Sequence, residues 1–514
     1  MELEVLSFIC AFTALILSGY FYYKSSKQLK IATFNINEHV TEKIEEIQGS
    51  PQAELKEVLS RKLRSSTKIG PNVNFETLLR KANNGDPYAQ YKVGLIFDDG
   101  RAENPHLEKN PKKAKEWYEK AARSGHSGAM VNMASLLYFR YGTKPDYDGA
   151  MSWYKKGAEL YNATSMRNIG NLYSMGHQGS GAKPDYAMAM SWYKRALDID
   201  PVNAGAMNGI GVHYHKGFDI EQDYNEAMSW YRRALEADPK FSTVMVNIGN
   251  LYHCGGGVEQ DYGEAMSWSK KAADLGNTGA MANIGHLYHY GEGVEQNYSE
   301  AMRWYKKALD VDPINASAMV GMGLLYDKGH GVKQDYHEAM SWYKKALAAD
   351  HNCTDAMLNL GLLYDLGYGV KQDYHEAMSW YKKALDVDQV NAGAMVNIGI
   401  LYDLGYGVKQ DYSEAMRWYK KALDVDPVNA GAMVNIGQLY HHGDGIEQDY
   451  GEAMSWYKKA AELNNGRAQF HIGEIYRLGQ GVEADHTEAM KWYVKSAEAG
   501  NEDSEAIIKE LDEK

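Results

Sequence analysis

Apolar and polar positions between Asn391 and Pro427 alternate with a helical period twice over, with a break between. In the first stretch Ala394, Ile398, Leu401 and Tyr402 recur at i, i+4, i+7 and i+8, which lays one apolar face along an α-helix. In the second, Ala415, Trp418, Tyr419, Ala422 and Leu423 draw the same stripe at i, i+3, i+4, i+7 and i+8. Gly405-Tyr406-Gly407-Val408 separates them, the first glycine suiting a left-handed helix cap. Asp411 and Glu414 form a capping-box pattern at the start of the second helix, and Asp426-Pro427 stops it, because the residue before a proline avoids the helical region.

This helix pair is repeated along the chain. Trp418 has ten counterparts, from Trp117 to Trp492, spaced by 36 to 39 residues, and together they are all the tryptophans of the protein. Each unit of such a length needs its neighbours to bury its apolar face. Ala415 has an alanine equivalent in every unit, from Ala114 to Ala489. Gly399 corresponds to Gly94, Ala134, Gly170, Gly211, Gly249, Gly285, Gly323, Gly361, Gly437 and Gly473, small in all eleven, so two helices must approach closely there. The fold is therefore expected to be all-α, an α-solenoid of eleven helix-turn-helix repeats over residues 75–500. Phe75 to Asn84 supplies a leading helix, and residues 501–514 a polar closing one. The identical runs 333–347 and 371–385 suggest recent duplication.

The small residue, the tyrosine, Gly-x-Gly-Val, Asp-Tyr-x-Glu-Ala and Trp-Tyr together resemble the Sel-1-like repeat, a relative of the tetratricopeptide repeat. The junction Ala-Leu-Asp-Val-Asp-Pro-Val-Asn-Ala is similar to the tetratricopeptide version. The resemblance implies a right-handed superhelical solenoid whose first helices line a concave surface that binds other proteins. It is far less specific for function than for fold. Local departures include Ser269 in place of the tyrosine after Trp268, Leu137 in place of the first-helix tyrosine, and the loss of a turn glycine in Gly217-Phe218-Asp219-Ile220.

Composition alters this picture mainly at the amino terminus. Residues 5–23, between a short flank of residues 1–4 and Lys24, carry no charge, and 19 residues of helix reach about 28 Å, near the thickness of a bilayer core. Tyr20, Tyr22 and Tyr23 followed by Lys24, Lys27 and Lys30 fit an aromatic belt with positive charge on the cytosolic side. A retained single-pass anchor with cytosolic repeats is the expectation, a cleaved signal peptide the competing reading, and the endoplasmic reticulum lumen or a mitochondrion the alternative settings. Residues 24–74 read as a tether with weak amphipathic helices. The net charge is −13, of which residues 1–70 contribute +1, so the repeats would repel a phosphate backbone and nucleic acid is not an expected partner. The three cysteines, Cys10, Cys254 and Cys353, make no disulfide framework. Sequons stand at Asn162, Asn297, Asn315 and Asn352.

Candidate chemistry is sparse. The Gly-x-Gly turns follow helices and lack the strand that a phosphate loop requires. His286 and His289 share one helix at i, i+3, and a metal site there would need ligands from a neighbouring repeat. No nucleophile, acid and base grouping stands out, so neither catalytic residues, cofactor, metal nor small-molecule substrate is assigned, and an enzyme is not expected. The recurring Lys-Lys, as at Lys420-Lys421, reads as a solvated face. Two residues before the small position lie Asn132, Asn168, Asn247, Asn283, Asn359, Asn397 and Asn435. Carried over from tetratricopeptide proteins, they would form a peptide-binding groove. The competing role is to satisfy a neighbouring helix's backbone. After the first-helix tyrosine, Asp327, Asp365 and Asp403 alternate with His215, His253, His289 and His441, which would give that groove an acidic, pH-sensitive stripe for basic or polar peptides.

Overall fold

The computed structural model describes residues 75–99, 109–138, 145–176 and 183–512; the flank, anchor and tether expected over residues 1–74 lie outside them. The described residues form 24 helices and no strand, and no helix among them is long and apolar enough to cross a membrane. They fall into two compact units that divide between Ala129 and Met130, inside helix Ser127–Tyr138. The first unit contains the leading helix Phe75–Asn83, which buries Leu78 and Ala82, and the pair Pro87–Asp99 and Pro111–Arg123. Lys92 is buried there beneath the rings of Tyr88 and Tyr91, at 5.2 and 5.9 Å from their centres. The second unit is a run of helix pairs, each packed on its neighbours within the unit, closed by Glu502–Asp512.

The pair expected over residues 391–427 is present as Ala392–Leu404 and Tyr412–Val425. Gly405 takes the left-handed conformation, φ +69°, and the next amide, of Tyr406, donates back to Leu401 O at 2.9 Å. Gln410 then reaches across the turn, its Nε2 donating to Asp403 O at 2.8 Å, and glutamines at equivalent positions do the same in six further repeats. The capping box is only half made. Asp411 Oδ1 accepts from Glu414 N at 3.0 Å, but the Asp411 amide donates to Tyr402 O at 2.9 Å and Glu414 pairs with Arg417 at 2.9 Å. The turn delivers a carbonyl of the preceding helix to that amide, so the glutamate has no donor left to cap.

In nine repeats the glycine of the first helix answers to a tyrosine ring. A Cβ on Gly399 would stand 2.5 Å from the Tyr419 ring, and Tyr419 is fully buried. The tryptophans are half-buried instead. Trp418 packs against a buried cluster that joins Ile398 and Leu401 of its own repeat to Tyr381 of the preceding one, tying units together. Its outer face is covered by Lys421, whose Nζ sits 4.2 Å from the ring centre, and a Lys or Arg three residues on does this in all eleven repeats. The second lysine of the pair is thus a cation lying over an indole and not simply a solvated charge.

Candidate functional site

The buried tyrosine ring that lies on the small residue brings its hydroxyl up against the face of the first helices, and this contact decides what the expected stripe can do. Tyr381 and Tyr419 donate to Asp365 Oδ2 at 3.3 Å and Asp403 Oδ2 at 3.1 Å, and the Tyr231 hydroxyl meets His215 Nδ1 at 3.3 Å. Burial raises both carboxyls above the usual carboxylate range, against the pull of the tyrosine bonds. Asp327 is buried and pairs with Lys328 at 3.0 Å. These acidic groups are therefore occupied within their own repeats, and the stripe presents less free negative charge than residue types alone suggest.

The seven asparagines do not act alike. Asn247 Nδ2 donates to Asn208 Oδ1 at 3.0 Å and Asn283 Nδ2 to Asn250 Oδ1 at 2.9 Å, bridging successive first helices. Asn359 Nδ2 turns back to Asp355 O at 2.8 Å within its own helix. Asn435 is buried, whereas Asn132 and Asn397 are half-buried. Asn168 lies against the Tyr154 hydroxyl, in the wall of a cavity of about 530 Å³ that spans three successive repeats of the second unit.

This cavity has the most distinctive chemistry on that face. It is lined by Tyr138, Tyr154, Arg167, Asn168, Asn171 and Tyr193 among others. Tyr193 donates to Asn171 Oδ1 at 2.8 Å, and Ser135 bonds the Tyr154 hydroxyl at 3.1 Å, so the walls are fixed by hydrogen bonds. Arg167 enters between the rings as a partly buried cation with no ion pair among the described residues, and burial lowers its pKa. A signal for it stood in the sequence: the other repeats place Tyr91, Val131, Asn208, Val246, Ala282, Val320, Leu358, Val396, Val434 or Phe470 at this position, and only Arg167 is charged. The arrangement can accept an anionic oxygen pair through the guanidinium, with amide donors to either side.

His286 and His289, one turn apart on the same helix, meet different neighbours. His289 is buried and faces His330, Nε2 to Nδ1 3.2 Å, while His286 turns toward His253 of the preceding repeat.

An all-helical stack of pairs, joined by glycine turns and built on a tyrosine seated over a glycine, defines a repeat solenoid of the kind that serves as a binding surface. Eleven segments, at residues 87–126, 127–162, 163–199, 204–239, 243–277, 278–311, 316–351, 354–386, 392–425, 430–465 and 466–501, match the Sel1 repeat, and the chain belongs to that family. No curated protein matches it. Among solved structures it is similar to c5321, a protective antigen of uropathogenic Escherichia coli with an SLR fold: 28% identity, 85% of this chain and 91% of that chain covered, TM-score 0.42. A Sel1 repeat protein from Oxalobacter formigenes is 34% identical over 49% of this chain and 98% of its own, with a TM-score of 0.38. Sel1 and tetratricopeptide-like repeats generally mediate binding between proteins.

Proposed function

We propose that the chain is a non-enzymatic scaffold that holds an extended segment of another protein along its first helices, anchored by an acidic group in the Arg167 cavity. The observation that carries this reading is the unpaired guanidinium, half-withdrawn from water in a cavity whose other polar groups are already fixed. A partner carboxylate supplies the missing counter-charge, and the shielded setting makes that bond stronger than one on an open surface. Asn168 and Asn171 flank it as orienting groups, and the half-buried Asn132 and Asn397 continue the contact toward either end. The hydrophobic run Val5 to Tyr23 would keep this assembly at a membrane with the repeats on the cytosolic side.

Selection of a random peptide library on the purified protein tests the binding mode. Recovered peptides are expected to share an Asp, a Glu or a free carboxyl terminus, and to lose affinity about tenfold or more on Arg167→Ala, the scale of a charge-assisted bond. Binders indifferent to both Arg167→Ala and Asn168→Ala, with helix content unchanged, would remove this site from consideration. Protease protection on intact membranes tests the anchor separately: repeats shielded from external protease on right-side-in vesicles that expose the cytosolic face would contradict the orientation.

A further inference from the structure

Ten of the eleven second helices follow tryptophan with a tyrosine, and one, Tyr262–Asp274, follows it with Ser269. Where glycine meets the tyrosine, a Cβ would stand 2.4 to 2.7 Å from ring atoms; at Gly249 the nearest atoms are 3.4 Å away and belong to Ala265 and Trp268. The missing ring leaves a cavity of about 210 Å³ between two repeats, and its wall carries His253 and His286.

His253 stands four residues after Gly249, the place from which His215, Asp365 and Asp403 each meet a tyrosine hydroxyl in their own repeats. Here there is no tyrosine hydroxyl to meet. His253 Nε2 instead lies 2.9 Å from Glu292 Oε2, and His286 Nδ1 comes to 3.5 Å from the same oxygen. Glu292 is the middle residue of a Gly-x-Gly turn, held by its amide bond to Leu287 O at 3.0 Å. Other turns carry a ring at that position: His330, Tyr368 and Tyr406 stack on Tyr298, Tyr336 and Tyr374 of the preceding repeat. Glu292 has no ring to stack and folds over the two histidines.

We propose that His253, His286 and Glu292 form a zinc-binding site whose fourth coordination position opens into the Ser269 cavity. One ligand atom from each residue lies within 4.8 Å of the others. Ligands about 2.0–2.1 Å from a tetrahedral ion stand roughly 3.3–3.5 Å apart, so the shift needed to close on the ion is small. Two imidazoles and a carboxylate suit zinc, and a magnesium or calcium ion would ask for oxygen ligands throughout. The ligands come from two repeats, so the ion would clamp the stack where the tyrosine ring is missing.

The test uses the full chain without a purification tag, stripped with a chelator and titrated with Zn²⁺ by calorimetry, and with Co²⁺ read by its visible d–d absorption. One equivalent per chain is expected. His253→Gln, His286→Gln and Glu292→Gln should each weaken it at least about tenfold while helix content stays the same. Ser269→Tyr is the independent variant. It restores the ring over Gly249 and offers His253 a hydroxyl, so it should stabilise the fold and yet lower zinc affinity. Absence of saturable uptake would leave only a histidine–carboxylate bridge and overturn the proposal. Uptake unaffected by His253→Gln and His286→Gln would overturn it equally.

Discussion

A single hydrogen-for-methyl exchange measures how closely the repeats are fitted. Alanine ordinarily improves a helix interior by about 1 kcal/mol over glycine. Gly399→Ala is expected to do the opposite, because its Cβ would meet the Tyr419 ring at 2.5 Å and overpacking costs about 1–3 kcal/mol. Faster hydrogen exchange over helices Ala392–Leu404 and Tyr412–Val425 would register the loss. Cys353 offers the reverse case. Most first helices open with an asparagine, as where Asn391 Oδ1 accepts from Ala394 N at 2.9 Å, but Cys353 caps helix Thr354–Leu366 with no side-chain bond. Cys353→Asn should add about 1 kcal/mol of local stability, seen as slower exchange in that helix. The identity of the packing residues was legible at this scale, since Gly399, Trp418 and Tyr419 recur at fixed spacing. What each touches was not. Period alone marks a position as small without naming the ring above it, and it marks Lys421 as charged without revealing the indole beneath.

At the scale of the helix, boundaries followed from local chemistry and the face toward a ligand did not. Gly405 and Asp426-Pro427 end their helices where expected, because caps act on adjacent backbone. The candidate site depends on contacts across repeats: an asparagine bridges in one unit, bonds its own helix in another and lines a cavity in a third. Arg167 and Ser269 were visible only as departures from a pattern, and a departure has no direction until the neighbouring helix is in place. Helix Thr278–Tyr290 makes a pH prediction of its own. Burial, with His330 and His286 nearby, lowers His289 from 6.5 to about 4. Below its unfolded pKa the unfolded chain takes the proton more readily, so the stability from keeping this ring neutral is present above pH 6.5 and is lost as pH falls toward 4. Asp365 and Asp403, raised in the fold, act with the opposite sign but lie in other helices. Exchange protection of Thr278–Tyr290 should therefore fall between pH 6.5 and 4, and His289→Gln should flatten that fall.

Over the whole molecule, stability is a sum of unit and nearest-neighbour terms and not a single transition. The repeat at 243–277, deprived of its ring, is expected to open first, with exchange in Tyr262–Asp274 faster than in the second helices on either side. Equal protection across all three would mean that the cavity carries no local cost. The stacking of turn rings has a different consequence. Tyr368 lies on Tyr336 at 4.5 Å and 23°, and Tyr406 on Tyr374 at 4.4 Å and 22°, inside runs of identical sequence. Each joint accepts the next unit's turn as readily as its own, so the units are interchangeable parts. Excising residues 354–391 would bring Tyr406 onto Tyr336 and leave a shorter chain with the same joints throughout; it should keep its helix content per residue and stay monodisperse on a sizing column. Length in such a molecule is then a quantity that recombination can adjust one unit at a time, without any new packing having to be found.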